Sequence, residues 1–390
     1  MIQKKTQKTK KFVHKPFWID VAHMVGIVLL AMLLTRFTIY NISSLSVFAP
    51  LDKEIDFQMS DLYNAVADNK VIHPFSQDVV IVSTDGCSRK EVIDIIKKVS
   101  DCQPKAIGLD IYFAYPEEDN TYLIQTILET PNLVGTEFAE QDVDGVHFHQ
   151  KYMSFYDSEL RPLSGYINLN ISNPQQVVRT FRPFVKSVDG DTLYSMPYVL
   201  AKLANPAKVN KLISRNQDEV IIDYTTCDIM ILTADELEDS YARESIHDKV
   251  VLIGDVQDLS DAHLTPVHGL KAGVMIHAYA LQTILGEQYI DTTKSWFNWF
   301  IAILICVIYV SLLLFSKRCM INYGSLVLRI GQFLVIYLMI YIGCSVYQSS
   351  HIYVDFAPGI LMLGLGSLAF DLWFGAYALV VYINNKIHKK

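Results

Sequence analysis

The chain has 390 residues, 51% hydrophobic and 12% aromatic, with a mean hydropathy of +0.24, yet it carries 33 Lys+Arg and 41 Asp+Glu for a net charge of −8. The charges are segregated: residues 41–295 hold 38 acids against 20 bases (−18), and the other 135 residues hold 13 bases against three acids (+10), which sum to −8. An acidic block between basic, apolar ends argues against a nucleic-acid partner and describes a membrane protein with one large extramembrane domain.

Residues 1–16 form a basic tail with six lysines (Lys4, Lys5, Lys8, Lys10, Lys11, Lys15), followed by an apolar stretch predicted to span the membrane over 17–40. No small-x-small cleavage site follows in TRFTIYNISSLS, so an uncleaved signal anchor is expected rather than a removed signal peptide. The acidic block, 41–295, opens with DVVIVSTD as a buried strand, EVIDIIKKVSD as a helix with Val92, Ile95, Ile96 and Val99 on one face, and KAIGLDIYF as a second strand. Two parallel strands with a helical crossover are the natural solution. A helix in TYLIQTILET and strands in NLVGTEF and SGYINLNI follow, then a helix over TLYSMPYVLAKLA. DEVIIDYT and KVVLIGDV read as strands and GVMIHAYALQTIL as a closing helix. The expected fold is α/β with a substantially parallel sheet.

Three further apolar segments, 296–316, 324–345 and 354–382, are predicted to cross the membrane, with a short tail at 383–390. Lys317 and Arg318 follow the first of them, and Lys386, Lys389 and Lys390 end the chain. One topology puts all these bases in the cytoplasm: both termini inside, residues 41–295 outside, Trp296 and Trp299 at the outer interface. Cysteines give no CxxC and no paired spacing, which argues against a disulfide framework or a zinc ribbon.

Two strands end in an acid, Asp85 and Asp110, and KVVLIGD ends in Asp255. Ligands of open α/β sheets bind outside the carboxyl ends of the strands, so these acids, with Tyr112 and the loop residues Tyr115, Asp119 and Asn120, are candidates for lining a ligand crevice. The competing reading makes the three aspartates helix N-caps, and it is favoured on residue preference alone.

The order of segments resembles the CHASE2 domain, an extracytoplasmic sensory module of bacterial receptors, over roughly Asp61 to Ile290. The resemblance rests on VVIVSTDGCSRKEV, KAIGLDIYF, VVRTFRPF and KVVLIGDVQDLSDAHLTPVHGLKAGVMIHAYALQTIL. In the last of these, Lys249, Gly254, Asp261, Thr265, Pro266, Gly273, Val274, His277 and Ala278 stand where the family pattern has them. The middle departs: NPQQ (173–176) stands where an Asp-x-Asp-Gly turn is usual. The resemblance implies a sensory domain followed by three membrane helices and an output domain. After the last helix the sequence has only a short tail ending KIHKK, so the output is expected on another polypeptide.

His263, His268 and His277 suggest zinc, but His263 and His268 fall in an expected loop, His277 in a helix, and there is no HExxH pair. The plainer expectation is a structural brace, His277 bonded to Asp261 and pinning the Thr-Pro loop to the last helix, with His263 and His268 incidental. His147 and His149 read as a solvated pair. No catalytic, metal-binding or cofactor signature appears. Within the spans, Arg329 and Asp371 are expected to pair, while Asp20 and His23 are expected to be solvated. The function expected is therefore a non-enzymatic membrane sensor of the bacterial inner membrane. It would bind an unknown extracytoplasmic ligand and act on a separate signalling protein. The alternative is a scaffolding subunit of an envelope complex. A homo-oligomer is compatible with either.

Overall fold

The computed structural model describes residues 17–41, 58–68, 73–113, 120–141, 148–152, 163–169, 177–267, 269–319 and 323–387. The N-terminal lysines, Tyr115, Asp119, His147 (and with it the His147/His149 pair), residues 173–176, His268, Lys389 and Lys390 lie outside them. The chain forms two compact units: Lys53–Thr292 with Val346–Tyr353, and Met1–Asp52 with Thr293–Ser345 and Val354–Lys390.

Numbered along the chain, the helices are α1 (Phe17–Asn41), α2 (Met59–Asp68), α3 (Arg89–Asp101), α4 (Asn120–Glu129), α5 (Met196–Ala204), α6 (Pro206–Ser214), α7 (Ser240–Ile246), α8 (Gly273–Gly286), α9 (Ser295–Arg318), α10 (Gly324–Ser350) and α11 (Ala357–Ile387). The longer strands are β1 (Phe75–Ser83), β2 (Ala106–Leu109), β3 (Leu133–Gln141), β4 (Phe148–Tyr152) and β5 (Ser164–Tyr166). Short strands β6 (Thr180–Phe181), β7 (Phe184–Lys186), β8 (Thr192–Tyr194) and β9 (Val220–Ile221) come next. They are followed by β10 (Asp228–Leu232), β11 (Val250–Gly254), β12 (Ala262–Thr265), β13 (Gly269–Ala272), β14 (Asp291–Thr292) and β15 (Ile352–Tyr353).

The larger unit is built on a seven-stranded sheet of order β10-β1-β11-β2-β3-β4, with β5 also paired to β3. Six strands run parallel and β4 is antiparallel. β2 and β11 are buried along their whole length, as parallel strands covered on both faces must be. One face carries Val79, Ile81, Val250 and Leu252 against α5, α6 and α8. The other carries Val80, Val82, Val251 and Ile253 against α3, α4 and α7. α3 has a capping box, Ser88 with Glu91, and buries Val92, Ile95, Ile96 and Val99. Burial at about 1.5–3 kcal/mol per side chain outweighs a cap worth about 1 kcal/mol, so packing sets where this helix lies.

Several local readings change. The helix expected over 192–204 divides into β8 and α5, because Ser195 accepts from the Tyr198 N–H as an N-cap and Pro197 fits the first turn. The strand expected over 218–225 shrinks to the two residues of β9. Edge strand β10 and helices α2 and α6 were not expected. α2 is held by Asp61, whose two oxygens accept from Arg179 Nε and Nη2 at 2.7 and 2.8 Å. In the same unit the Tyr347 hydroxyl donates to Asn64 at 2.6 Å, and β14 pairs in parallel with β15.

In the smaller unit α1, α9, α10 and α11 are each long and apolar enough to cross a membrane. Ile27, Ala31, Ala302, Cys306, Val310, Met362 and Ala369 form its core. The Tyr309 hydroxyl lies 2.6 Å from both Gln332 Oε1 and Ser367 Oγ. Arg329 Nη2 lies 2.5 Å from Asp371 Oδ2. Pairing is the lower-energy arrangement for two charges in hydrocarbon. Asp20 and His23, expected to be solvated, are partnered: Arg318 donates to Asp20 at 2.7 Å and Trp373 Nε1 donates to His23 Nδ1 at 2.9 Å. These residues of α1 meet Arg318 in the last turn of α9 and Trp373 in the middle of α11, 298 and 350 positions further along the chain, and the Asp20–Arg318 pair stays open to solvent.

Candidate functional site

β1 and β11 are adjacent and parallel, but the chain leaves them in opposite directions. From β1 it passes to α3 on one face of the sheet, and from β11 it passes through the β12–β13 hairpin to α8 on the other. Such a divergence opens a crevice at the carboxyl ends of the strands. Two backbone bonds fix its floor: the Thr84 N–H donates to the Gly254 carbonyl at 3.1 Å, and the Asp110 N–H to the Ile253 carbonyl at 2.8 Å. A cavity of about 950 Å³ lies there, and Asp110, Tyr112, Asp255, Asp261 and His277 all line it. Asp85 does not. It lines a neighbouring cavity of about 460 Å³ beside Cys87, Glu91 and Asp235.

None of the three strand-end acids caps α3. Ser88 does that, so the N-cap reading fails for Asp85. Asp255 instead accepts from the Gln257 N–H at 2.8 Å, a local turn. The Asp110 carboxylate has no hydrogen-bond donor among the described residues. Removal from water pushes its pKa up; His277 pulls it down and Asp261 adds to the rise.

Asp261 and His277 do not bond each other. His277 lies one turn into α8 and donates from Nε2 to the Ile167 carbonyl at 3.1 Å, tying the helix to the chain leaving β5. Asp261 is held over the first turn of α8, where Oδ2 accepts from the Gly273 N–H at 3.1 Å and Oδ1 from His263 Nε2 at 3.1 Å. A Cβ at position 273 would overlap that carboxylate, so the glycine is what lets Asp261 reach the helix end. His263 is therefore not an incidental loop residue: it sits in β12, pairs with Asp261 and lines the cavity.

The sequence reading also passed over Arg89, Phe113, Phe138, Asn168 and Asp258, which line the same cavity. The Arg89 guanidinium stacks on the Phe113 ring at 5.0 Å, and Phe138 meets Tyr112 edge to face at 4.9 Å. Phe113 carried a signal, since it closes the KAIGLDIYF run. Phe138 and Asn168 carried none, because only the pairing of β3 with β5 brings them to this edge. The described residues contain no group of three His, Cys, Asp or Glu side chains placed to hold a metal ion.

A profile of the CHASE2 domain matches residues 40–314. The chain belongs to the CHASE2 family. CHASE2 is a sensory domain, not a catalytic one, and the match runs from the end of α1 through most of α9. Searches of curated proteins and of solved structures returned no significant match. In CHASE2 terms, the strongly patterned strand, hairpin and helix from Lys249 to Leu285 supply Asp255, Asp261, His263 and His277, a whole side of the cavity.

Proposed function

We propose that this chain is a receptor-like protein of the bacterial inner membrane. Its outer CHASE2 domain binds a small ligand in the cavity at the carboxyl ends of the parallel strands, and the membrane helices relay the change to a separate output partner. The observation that carries the reading is the cavity itself. Its volume of about 950 Å³ falls within the roughly 300–1,000 Å³ of small-molecule sites, and it mixes a few polar groups with apolar walls. The split between an acidic 41–295 segment and basic flanks supports an outer location for the domain and cytoplasmic termini. A relay requires two helix arrangements to which the ligand binds with different affinity.

The test uses the full chain in lipid nanodiscs and a low-molecular-mass extract of the source cells. The extract is expected to raise the Tm of the wild type and not that of Leu169→Trp, which fills the cavity wall. A ligand at a hundredfold excess over its Kd stabilises by about 2.7 kcal/mol, a shift easily read. No rise in the wild type, together with stable co-purification of envelope proteins, would leave the scaffolding role in its place.

A further inference from the structure

Four carboxylates line the cavity: Asp110, Asp255, Asp258 and Asp261. Three are already satisfied by the protein. Asp255 accepts from the Gln257 N–H, and Asp258 from the Ser260 N–H and hydroxyl at 2.7 and 2.6 Å. Asp261 accepts from Gly273 and His263. Asp110 differs. No donor in the described residues reaches its carboxylate, although protein surrounds it closely enough to disfavour the charged form. A carboxylate partly withdrawn from water, with no donor among the described residues and only His277 favouring its charge, is held more favourably when a cation arrives.

The one arginine or lysine among the described lining residues is already engaged, since the Arg89 guanidinium lies over the Phe113 ring. An anionic ligand would face four carboxylates, with that guanidinium and the imidazoles of His263 and His277 as its counterweight. A bare metal ion fits no better, because no three ligating side chains converge among the described residues. The volume also suits an organic molecule rather than an ion. Against the acids stand Tyr112, Phe113 and Phe138, whose ring faces and edges suit an apolar body and whose π-systems attract cations.

We propose that the cavity selects an organic amine, with its ammonium group seated on Asp110 and its apolar portion against Tyr112, Phe113 and Phe138. The proposal rests on the sensor reading above and narrows it to one ligand class. The unmet charge of Asp110 supplies the affinity and the surplus of carboxylates supplies the selectivity, because acids and neutral analogues of the same shape gain nothing from either.

The full chain in nanodiscs at fixed ionic strength is titrated with tyramine, agmatine and spermidine, and with 4-hydroxyphenylacetate as the carboxylate counterpart of tyramine. At least one amine is expected to raise Tm in a saturable way, and the carboxylate to have no effect. Asp110→Asn, which keeps the shape, is expected to weaken the amine at least tenfold. Asp85→Asn, on the neighbouring cavity, keeps wild-type affinity and controls for general charge. Amines that produce no shift, or a shift equal to that of the carboxylate, overturn the amine assignment, as does an unchanged affinity in Asp110→Asn. The cell extract then separates the two readings. A rise in Tm with extract alone leaves the sensor standing without the amine, whereas no response to either removes both.

Discussion

Asp110 stands at the end of β2 with its carboxylate lining a cavity and no donor to meet it among the described residues, which is unfavourable for the folded state taken alone. Its pKa is raised on folding, so between the ordinary carboxylate range and that higher value the native protein holds more protons than the unfolded one. Stability contributed by the group is present at low pH and is lost as pH rises through this window. Asp110→Asn should therefore melt higher than the wild type at neutral pH, with the difference closing as pH falls below the ordinary carboxylate range. His277, Asp261, Asp255, Asp258, His263 and Arg89 also line the cavity, so the comparison is of matched pH series rather than of single points. A wild type more stable than Asp110→Asn at pH 7 would mean that the carboxylate has a partner and is structural. That Asp110 would sit at a strand end was legible from GLD followed by an apolar run. That it would be the acid without a donor among the described residues was not, because the donors to Asp255 and Asp258 come from local turns and those to Asp261 from the start of α8 and from His263 in β12, placements that the residue types alone do not specify.

Helix α8 is the element on which the site depends, since it carries His277 and receives Asp261 at its first turn. Its N-cap residue, Ala272, makes no side-chain cap bond, so the Asp261 carboxylate takes over that role from twelve residues upstream. An anionic group over a helix N-terminus is stabilising, and losing a cap costs about 1 kcal/mol. Gly273→Ala places a methyl group where the carboxylate lies and should lower stability by about that amount or somewhat more. In Asp261→Ala the same glycine substitution should cost little, since the group it collides with has gone. Denaturation of all four proteins gives the coupling, and strict additivity would show that the carboxylate is not held at position 273. α3, α8 and β11 were readable because each presents an unbroken apolar period. β10 was missed for a physical reason: DIMIL is short and lies at the sheet edge, and it owes its strand form to pairing with β1 about 150 residues earlier. The division of 192–204 into β8 and α5 was in fact marked by Ser195 and Pro197, a cap signal that the helical apolar spacing of the whole run obscured.

At the scale of the molecule, the charge division and the four apolar helices act together. In the proposed topology all four helices cross, which would place both termini on one side of the membrane. Lys317 and Arg318 in the last turn of α9, and Lys386 in the last turn of α11, are the bases from which we propose that this side is the cytoplasm. On that proposal the 53–292 region is outside the cell membrane, where an extracellular or periplasmic solute would reach it without crossing the bilayer. Epitope tags at the two termini and external protease on spheroplasts test this arrangement. Protease is expected to digest the 53–292 region while both tags persist until the cells are lysed. Loss of the C-terminal tag in intact spheroplasts, with the N-terminal tag retained, would mean an odd number of crossings. Among the described spans, α10 would be the first to doubt, because it is the least buried of the four. The arrangement also bears on what the ligand can be. A cytoplasmic metabolite would have to be exported before this domain could respond to it, so a response of intact cells to an externally supplied amine, abolished by Asp110→Asn, would join the site and the topology in one measurement.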